Sequence, residues 1–204
     1  MTKEYEQAVV KKFSSLFLDE IEATIRQREP TIFNRLENNP LIKRQKLMKI
    51  GEGFYSPTLD IGVGPYAFLP GSLNQVYLNI LRKNKIKEFI RNISRKGFYF
   101  LKTGHNRFID NSEFIYQNNN ARCFLAIEIE NKTTRKHFIG SSLNASMMGK
   151  IGIVICEGEF AEHIERLFGY IKEMIHRAKS PPIMQNVIWI KKEDFDEILN
   201  SSFK

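Results

Sequence analysis

Cysteine is nearly missing from this sequence: there are two in 204 residues, Cys123 and Cys156. Both sit inside apolar runs, RCFLAI and IGIVICEG, where a thiol behaves as a small buried hydrophobe. Neither a disulfide framework nor a cysteine metal site is therefore expected, and the scarcity suits a reducing cytoplasm. Long apolar runs are missing too. No stretch approaches the roughly 18 apolar residues that a membrane span requires. The amino-terminal MTKEYEQAVVKKF is charged and amphipathic with no uninterrupted apolar region, so neither secretion nor membrane insertion is expected. The sequence also has no low-complexity linker, internal repeat, Walker motif, zinc-ligand spacing or nucleophile elbow. The glycines of GVGP and Gly51-x-Gly53 lack the spacing of a nucleotide fingerprint.

What is there describes a folded chain. Apolar residues make up 42% and charged residues 26%, with 16 phenylalanines, enough for a single domain over 1–204 that buries its own core. The formal charge is +8, and its placement matters more than its size. Between residues 82 and 107 stand Arg82, Lys83, Lys85, Lys87, Arg91, Arg95, Lys96, Lys102 and Arg107 against the single acid Glu88, so this segment carries the whole +8. Such concentration is the electrostatic footprint of a phosphate-backbone binder; the plainer alternative is a solvated lysine-rich helix face. These nine residues are the candidate nucleic-acid contacts.

Helical spacing runs through Tyr5, Val9, Phe13, Phe17, Ile21 and Ile25, predicting a helix over 3–28 that Pro30 ends. The stretch 31–40 reads as a short helix or loop. Residues 46–61 hold two short runs separated by Gly51 and Gly53, a hairpin pattern that leaves Asp60 near the end of the second strand. Apolar spacing from Val76 to Ile93 predicts a helix over 72–96. GFYFLK is a candidate strand, and 106–120 is a polar loop. In RCFLAIEIENK, Cys123, Leu125, Ile127 and Ile129 alternate with Phe124, Ala126, Glu128, Glu130 and Lys132, the mark of a strand with one apolar face and a charged end on the other. A helix over 134–148 follows, then a strand at 151–156, a helix at 159–178, a strand at 186–190 and a terminal helix from 193. This alternation predicts an α/β domain whose sheet is at least partly parallel.

Glu128, Glu130 and Lys132 at i, i+2 and i+4 lie roughly 7 Å apart in succession on one strand face. Carboxylates crowded at the edge of an apolar sheet are costly without a compensating charge. A divalent cation supplies one, and hard oxygen ligands select Mg²⁺ or Mn²⁺. Asp60, on another strand, adds a carboxylate beside a glycine-rich turn. Alone it would read as a turn residue; its weight comes from the combination.

An Asp closing one strand (SPTLDIGVGP), a later strand carrying Glu-x-Lys (Glu130, Asn131, Lys132), a helix and then an apolar strand resemble the PD-(D/E)XK, or restriction-endonuclease-like, nuclease superfamily. The resemblance covers roughly residues 3–156. It implies an αβββαβ core with a mixed central sheet flanked by helices, here with a basic helical insertion at about residues 66–120 and a C-terminal αβα extension. It also implies a metal-dependent endonuclease acting on DNA, with Asp60 and Glu130 binding Mg²⁺ (or Mn²⁺) and Lys132 positioning the attacking water. A second register makes Glu128 the ligand and puts Glu130 where the Lys normally stands. Some members recruit a Glu from the first helix, for which Glu6, Glu20 and Glu22 are equivalent candidates. RNA stays open as a substrate, and a homodimer is compatible with cutting two strands.

Other residues rank lower. Lys136 and His137 begin the helix after the motif strand and read first as surface groups. His105, beside Gly104, has no assignable partner. Ser141, Ser142, Asn144 and Ser146 read first as small residues that allow close helix-to-sheet packing, and second as contacts to backbone phosphates. Two rival functions remain: a catalytically inactive nuclease fold acting as a nucleic-acid-binding or regulatory module, and a protein-interaction domain in which Glu128, Glu130 and Lys132 form a solvated charge ladder.

Overall fold

The computed structural model describes residues 3–28, 41–47, 58–67, 69, 71–99, 114, 117–131, 134–157 and 184–201, with scattered positions between 163 and 177. The chain runs α1 (Lys3–Arg28), β1 (Ile42–Leu47), β2 (Thr58–Val63), α2 (Asn74–Leu81), α3 (Asn84–Lys96), β3 (Cys123–Glu130), α4 (Arg135–Met148), β4 (Gly149–Cys156), β5 (Val187–Lys191) and α5 (Lys192–Ser201). The five strands form one mixed sheet in sequence order. β1, β2 and β3 pair antiparallel, whereas β3, β4 and β5 pair parallel. The parallel β3–β4 pair is joined through α4, the crossover that parallel strands require.

Alternation on the strands divides the interior into two layers. Ile61 and Val63 on β2, Leu125 and Ile127 on β3, Ile151, Ile153 and Ile155 on β4, and Ile188 and Ile190 on β5 face α1, α2, α3 and α5. Ala126, Val154, Cys156, Val187 and Trp189 lie on the other face, with Phe138, Ala145 and Met148 of α4. α1 buries Val9, Phe13, Phe17, Ile21 and Ile25, the i+4 stripe its sequence dictates. Phe13 meets Phe89 of α3 edge-on at 5.2 Å and Phe17 at 5.3 Å. The basic segment therefore does not hang off the domain; its apolar side is part of the main core.

Several expectations shift. The helix foreseen over 72–96 is two helices, because Lys83 is extended at φ −69°, ψ 135°. The physical reason is in the stripe: Leu81 and Ile86 are five residues apart, so a straight helix at 3.6 residues per turn would turn the second half's apolar face away from the core. GFYFLK contributes one bridge, with Phe98 N–H donating to Trp189 O (2.7 Å) and Trp189 N–H to Phe98 O (2.9 Å); residues 100–102 lie outside the described residues. Residues 31–40, His105 and the loop foreseen over 106–120, apart from 114 and 117–120, lie outside them as well. The positions described between 163 and 173 are helical, as foreseen for 159–178.

Gly152 brings α4 onto β4: a Cβ there would stand 2.9 Å from the Ala145 carbonyl carbon and 3.0 Å from its Cβ. Two α4 side chains then join buried polar links. Trp189 Nε1 donates to Ser142 Oγ (2.7 Å), Ser142 Oγ to Phe138 O (2.7 Å), and Ser146 Oγ to Asn186 Oδ1 (2.8 Å). Ser142 and Ser146 thus serve packing, as expected. Lys150, hidden in the sequence by its apolar run, is fully buried at the opposite end of the sheet from the β3 carboxylates. Its Nζ donates to Asn74 Oδ1 (2.9 Å), Gln117 O (2.6 Å) and Asn119 Oδ1 (3.1 Å), and burial pushes its pKa down to about 8.

Candidate functional site

β2 and β3 bring together two carboxylates 68 residues apart in sequence. Their ladder pairs Val63 with Leu125, Gly62 with Ala126 and Ile61 with Ile127, and one step further on that register Asp60 faces Glu128. There the backbone ladder stops. The Ile129 N–H donates instead to Asp60 Oδ2 at 2.8 Å, so the Asp60 side chain takes the place of a strand carbonyl and is fixed in position. Glu130 follows two residues on, on the same face as Glu128 by strand alternation.

These acids sit against α4 rather than in water. Glu128 is 5% exposed and Glu130 6% exposed. Glu130 Oε2 accepts from Ser141 Oγ at 2.8 Å. Asn144, one turn along α4, hydrogen-bonds the Glu128 carboxyl, and Glu128 Oε1 is buried without a hydrogen-bond partner among the described residues. Ser141 and Asn144 thus touch the acidic groups, a role outside both the packing and the phosphate-contact readings of them. Their i, i+3 spacing on a helix that immediately follows the acidic strand is the signal that could have found them.

The electrostatics follow from burial. Desolvation first, then the charge of Asp60, pushes the Glu128 pKa up to about 9. Desolvation also raises Asp60, opposed by the Ile129 N–H, with Glu6 and Glu130 adding repulsion. The Glu128–Asp60 hydrogen bond favours the protonated form of Glu128 and the ionised form of Asp60. Glu128 is therefore the group of the two that keeps its proton at neutral pH. Glu6 is the α1 acid whose charge reaches Asp60, which distinguishes it from Glu20 and Glu22 further along the same helix.

Oxygen donors, a buried carboxylate atom without a hydrogen-bond partner among the described residues and the mutual repulsion of the carboxylates suit a hard divalent cation in chemistry. Among the described residues, however, no three His, Cys, Asp or Glu side chains converge closely enough to cage an ion by themselves. Mg²⁺ is commonly bound through one or two carboxylates, with water and substrate phosphate completing its shell, and the Asp60–Glu128 pair meets that lesser requirement.

Lys132 lies outside the described residues, as do Lys102 and Arg107. Lys136 and His137 are exposed at the start of α4. Of the basic set, Arg82, Lys85, Lys87, Arg91 and Arg95 are exposed and Lys83 is half-buried. Lys96 is engaged: its Nζ lies 3.1 Å from Asp194 Oδ1 and 2.6 Å from Glu197 Oε2 of α5. Both cysteines are buried and neither forms a disulfide, and no described helix is long and apolar enough to cross a membrane. Compared with family models, curated proteins and solved structures, the chain matches none.

Proposed function

We propose that the protein is a metal-dependent endonuclease of the PD-(D/E)XK type, hydrolysing DNA phosphodiester bonds in the cytoplasm, with Asp60 and Glu128 holding Mg²⁺ or Mn²⁺. The observation that carries the reading is the Asp60–Glu128 pair: half-buried Asp60, held by the Ile129 N–H, faces buried Glu128 where the β2–β3 ladder ends, and Glu128 Oε1 has no hydrogen-bond partner among the described residues. The order α1, β1, β2, β3, α4, β4, with an antiparallel hairpin and a parallel crossover, supports it. In this arrangement α2 and α3 are the insertion between β2 and β3.

A bound cation supplies Lewis acidity toward the scissile phosphate and lowers the pKa of a bound water. The chain's own groups do the remainder. Asp60, pinned by the Ile129 N–H, and Glu128, whose Oε1 is uncommitted, present oxygens with little reorganisation. Asn144 orients Glu128. Glu130, steadied by Ser141, occupies the position two residues on and accepts a proton from the attacking water, which is the second register of the motif. Lys132 is the alternative water-positioning group, in the register with Glu130 as ligand. Exposed Arg82 and the exposed cations of α3 attract the phosphate backbone.

The test is cleavage of supercoiled plasmid and short single- and double-stranded DNA with Mg²⁺, Mn²⁺ or EDTA, comparing the native protein with Asp60→Asn, Glu128→Gln, Glu130→Gln and Lys132→Ala. Loss of metal-dependent cleavage in Asp60→Asn and Glu128→Gln supports the reading. Binding of DNA without cleavage under any condition transfers the assignment to a nucleic-acid-binding module, the alternative favoured by the lack of a three-ligand cage among the described residues.

A further inference from the structure

We infer that Lys191 is a phosphate contact of the acidic site, holding a nucleic-acid phosphate that flanks the one hydrolysed; this rests on the hydrolytic reading of Asp60 and Glu128. Nothing in the sequence drew attention to it, because it stands outside the basic segment and begins an otherwise ordinary KKEDF stretch.

Its placement comes from register and alternation. Glu130 pairs with Cys156 and Cys156 with Lys191, so the three form one row across β3, β4 and β5 at the carboxy-terminal end of the parallel strands. Two strand spacings put Lys191 about 10 Å from Glu130 at the backbone. Val187 and Trp189 lie on the α4 side of the sheet and Ile188 and Ile190 on the other, so Lys191 falls on the α4 side, as do Glu128 and Glu130. Cys156 between them is a buried, uncharged thiol, its deprotonation opposed by desolvation and by Glu130.

Lys191 differs from its neighbours in having no side-chain partner among the described residues. Lys192 is committed, with Nζ 3.1 Å from Asp196 Oδ2 and 4.7 Å from the centre of the Tyr5 ring, while Lys96 is held by Asp194 and Glu197. Half-buried Lys191 makes no ion pair among the described residues, and Glu130, which shares its row, accepts from Ser141 at Oε2. An ammonium on a four-carbon stem is a compact point charge with three rotatable donors, suited to a phosphate oxygen that arrives without fixed geometry. An edge carrying Asp60, Glu130 and Glu6 repels a polyanion, and a cation on the same edge offsets that repulsion where a strand lies across it.

The experiment measures binding of the full-length protein to a short DNA duplex in EDTA over a range of salt, for the native protein, Lys191→Gln, Lys191→Arg and Asp60→Asn. Thermal midpoints are measured alongside, and cleavage kinetics in Mg²⁺. Lys191→Gln is expected to bind roughly tenfold more weakly at low salt, with the slope of log affinity against log salt smaller by about one. Its thermal midpoint is unchanged, and Lys191→Arg restores affinity. Asp60→Asn loses cleavage but binds at least as tightly as the native chain. Native affinity, slope and kcat/KM in Lys191→Gln overturn the inference. If the native protein binds DNA but never cleaves it, the hydrolytic reading fails, and the slope change alone decides for or against Lys191. If it binds no DNA, both are overturned.

Discussion

Replacing Glu128 by Gln should make the protein more stable while abolishing metal-dependent cleavage, and the gain should depend on pH. In the unfolded chain Glu128 ionises near its ordinary 4.5; in the folded protein burial and Asp60 hold its proton until about pH 9. Between those values the folded state binds more protons than the unfolded one, so stability falls as pH rises, by about 1.4 kcal/mol per unit. At pH 7 the native protein has lost about 3 kcal/mol relative to pH 4.5, an order-of-magnitude figure set by 2.5 units of that slope. It does not depend on where above 7 the folded group titrates. Gln is uncharged at every pH and can still donate to Asp60 and accept from Asn144, so it escapes this loss. Urea unfolding of native and Glu128→Gln protein at pH 5 and pH 7, without metal, should show the variant gaining about 2–3 kcal/mol on the native chain between the two pH values. Saturating Mg²⁺ should then stabilise the native protein and leave the variant nearly unchanged. A stability difference that is the same at both pH values would refute the protonated-pair account.

Asn144→Ala, which removes the donor that favours ionised Glu128, should lower metal affinity or cleavage about 10- to 100-fold, read by metal titration and initial rates. Lys150→Met should cost about 2–4 kcal/mol in urea unfolding, because Asn74, the Gln117 carbonyl and Asn119 lose their shared donor. Lys150 is depressed to about 8 in the folded state, so its contribution to stability rises with pH from about 8 to its ordinary value near 10.5 and is flat below; the Met variant should lack that rise. Gly152→Ala should destabilise by about 1–3 kcal/mol, since its Cβ meets the Ala145 backbone. Phe89→Ala, which empties the centre of the Phe13, Phe17 and Phe195 cluster, should cost about 3–5 kcal/mol. Thermal or urea midpoints check both.

Much of the fold was legible because its signals are periodic. The α1 stripe, the β3 alternation and the apolar run of β4 each report a local geometry that tertiary contacts then use unchanged. The break at Lys83 was legible in principle, as a phase slip between Leu81 and Ile86, but counting apolar residues in one window conceals a slip. At the site, sequence spacing placed Glu128 and Glu130 on one face, yet it could not say which of them meets Asp60. That depends on the β2–β3 register, a long-range fact that puts Glu128 opposite Asp60. Asn144, Ser141 and Lys191 escaped for the same reason. Their importance lies in what stands across from them, and neither residue type nor neighbours in sequence carry that information.

The same limit applies to the charge count. Summed along the chain, the basic segment and the acidic strand look like two halves of one site; in the fold they belong to different layers. α3 packs with α1 and α5 on one face of the sheet, and Glu128 and Glu130 face α4 on the other. Helix and sheet layers are separated by about 10 Å, comparable with the Debye length of about 8 Å at physiological salt. Exposed cations on α3 therefore contribute little to the charge balance at Asp60, consistent with desolvation and carboxylate charges dominating the shifts there. Their effect is long-range attraction of a polyanion, strongest at low salt and largely independent of sequence. Neutralising Arg91 and Arg95 should thus slow association and flatten the salt dependence without changing the pH profile of cleavage. Charge close enough to act on a bound phosphate has to come from the edge itself, and Lys191 is a described cation that stands there without an ion pair among the described residues.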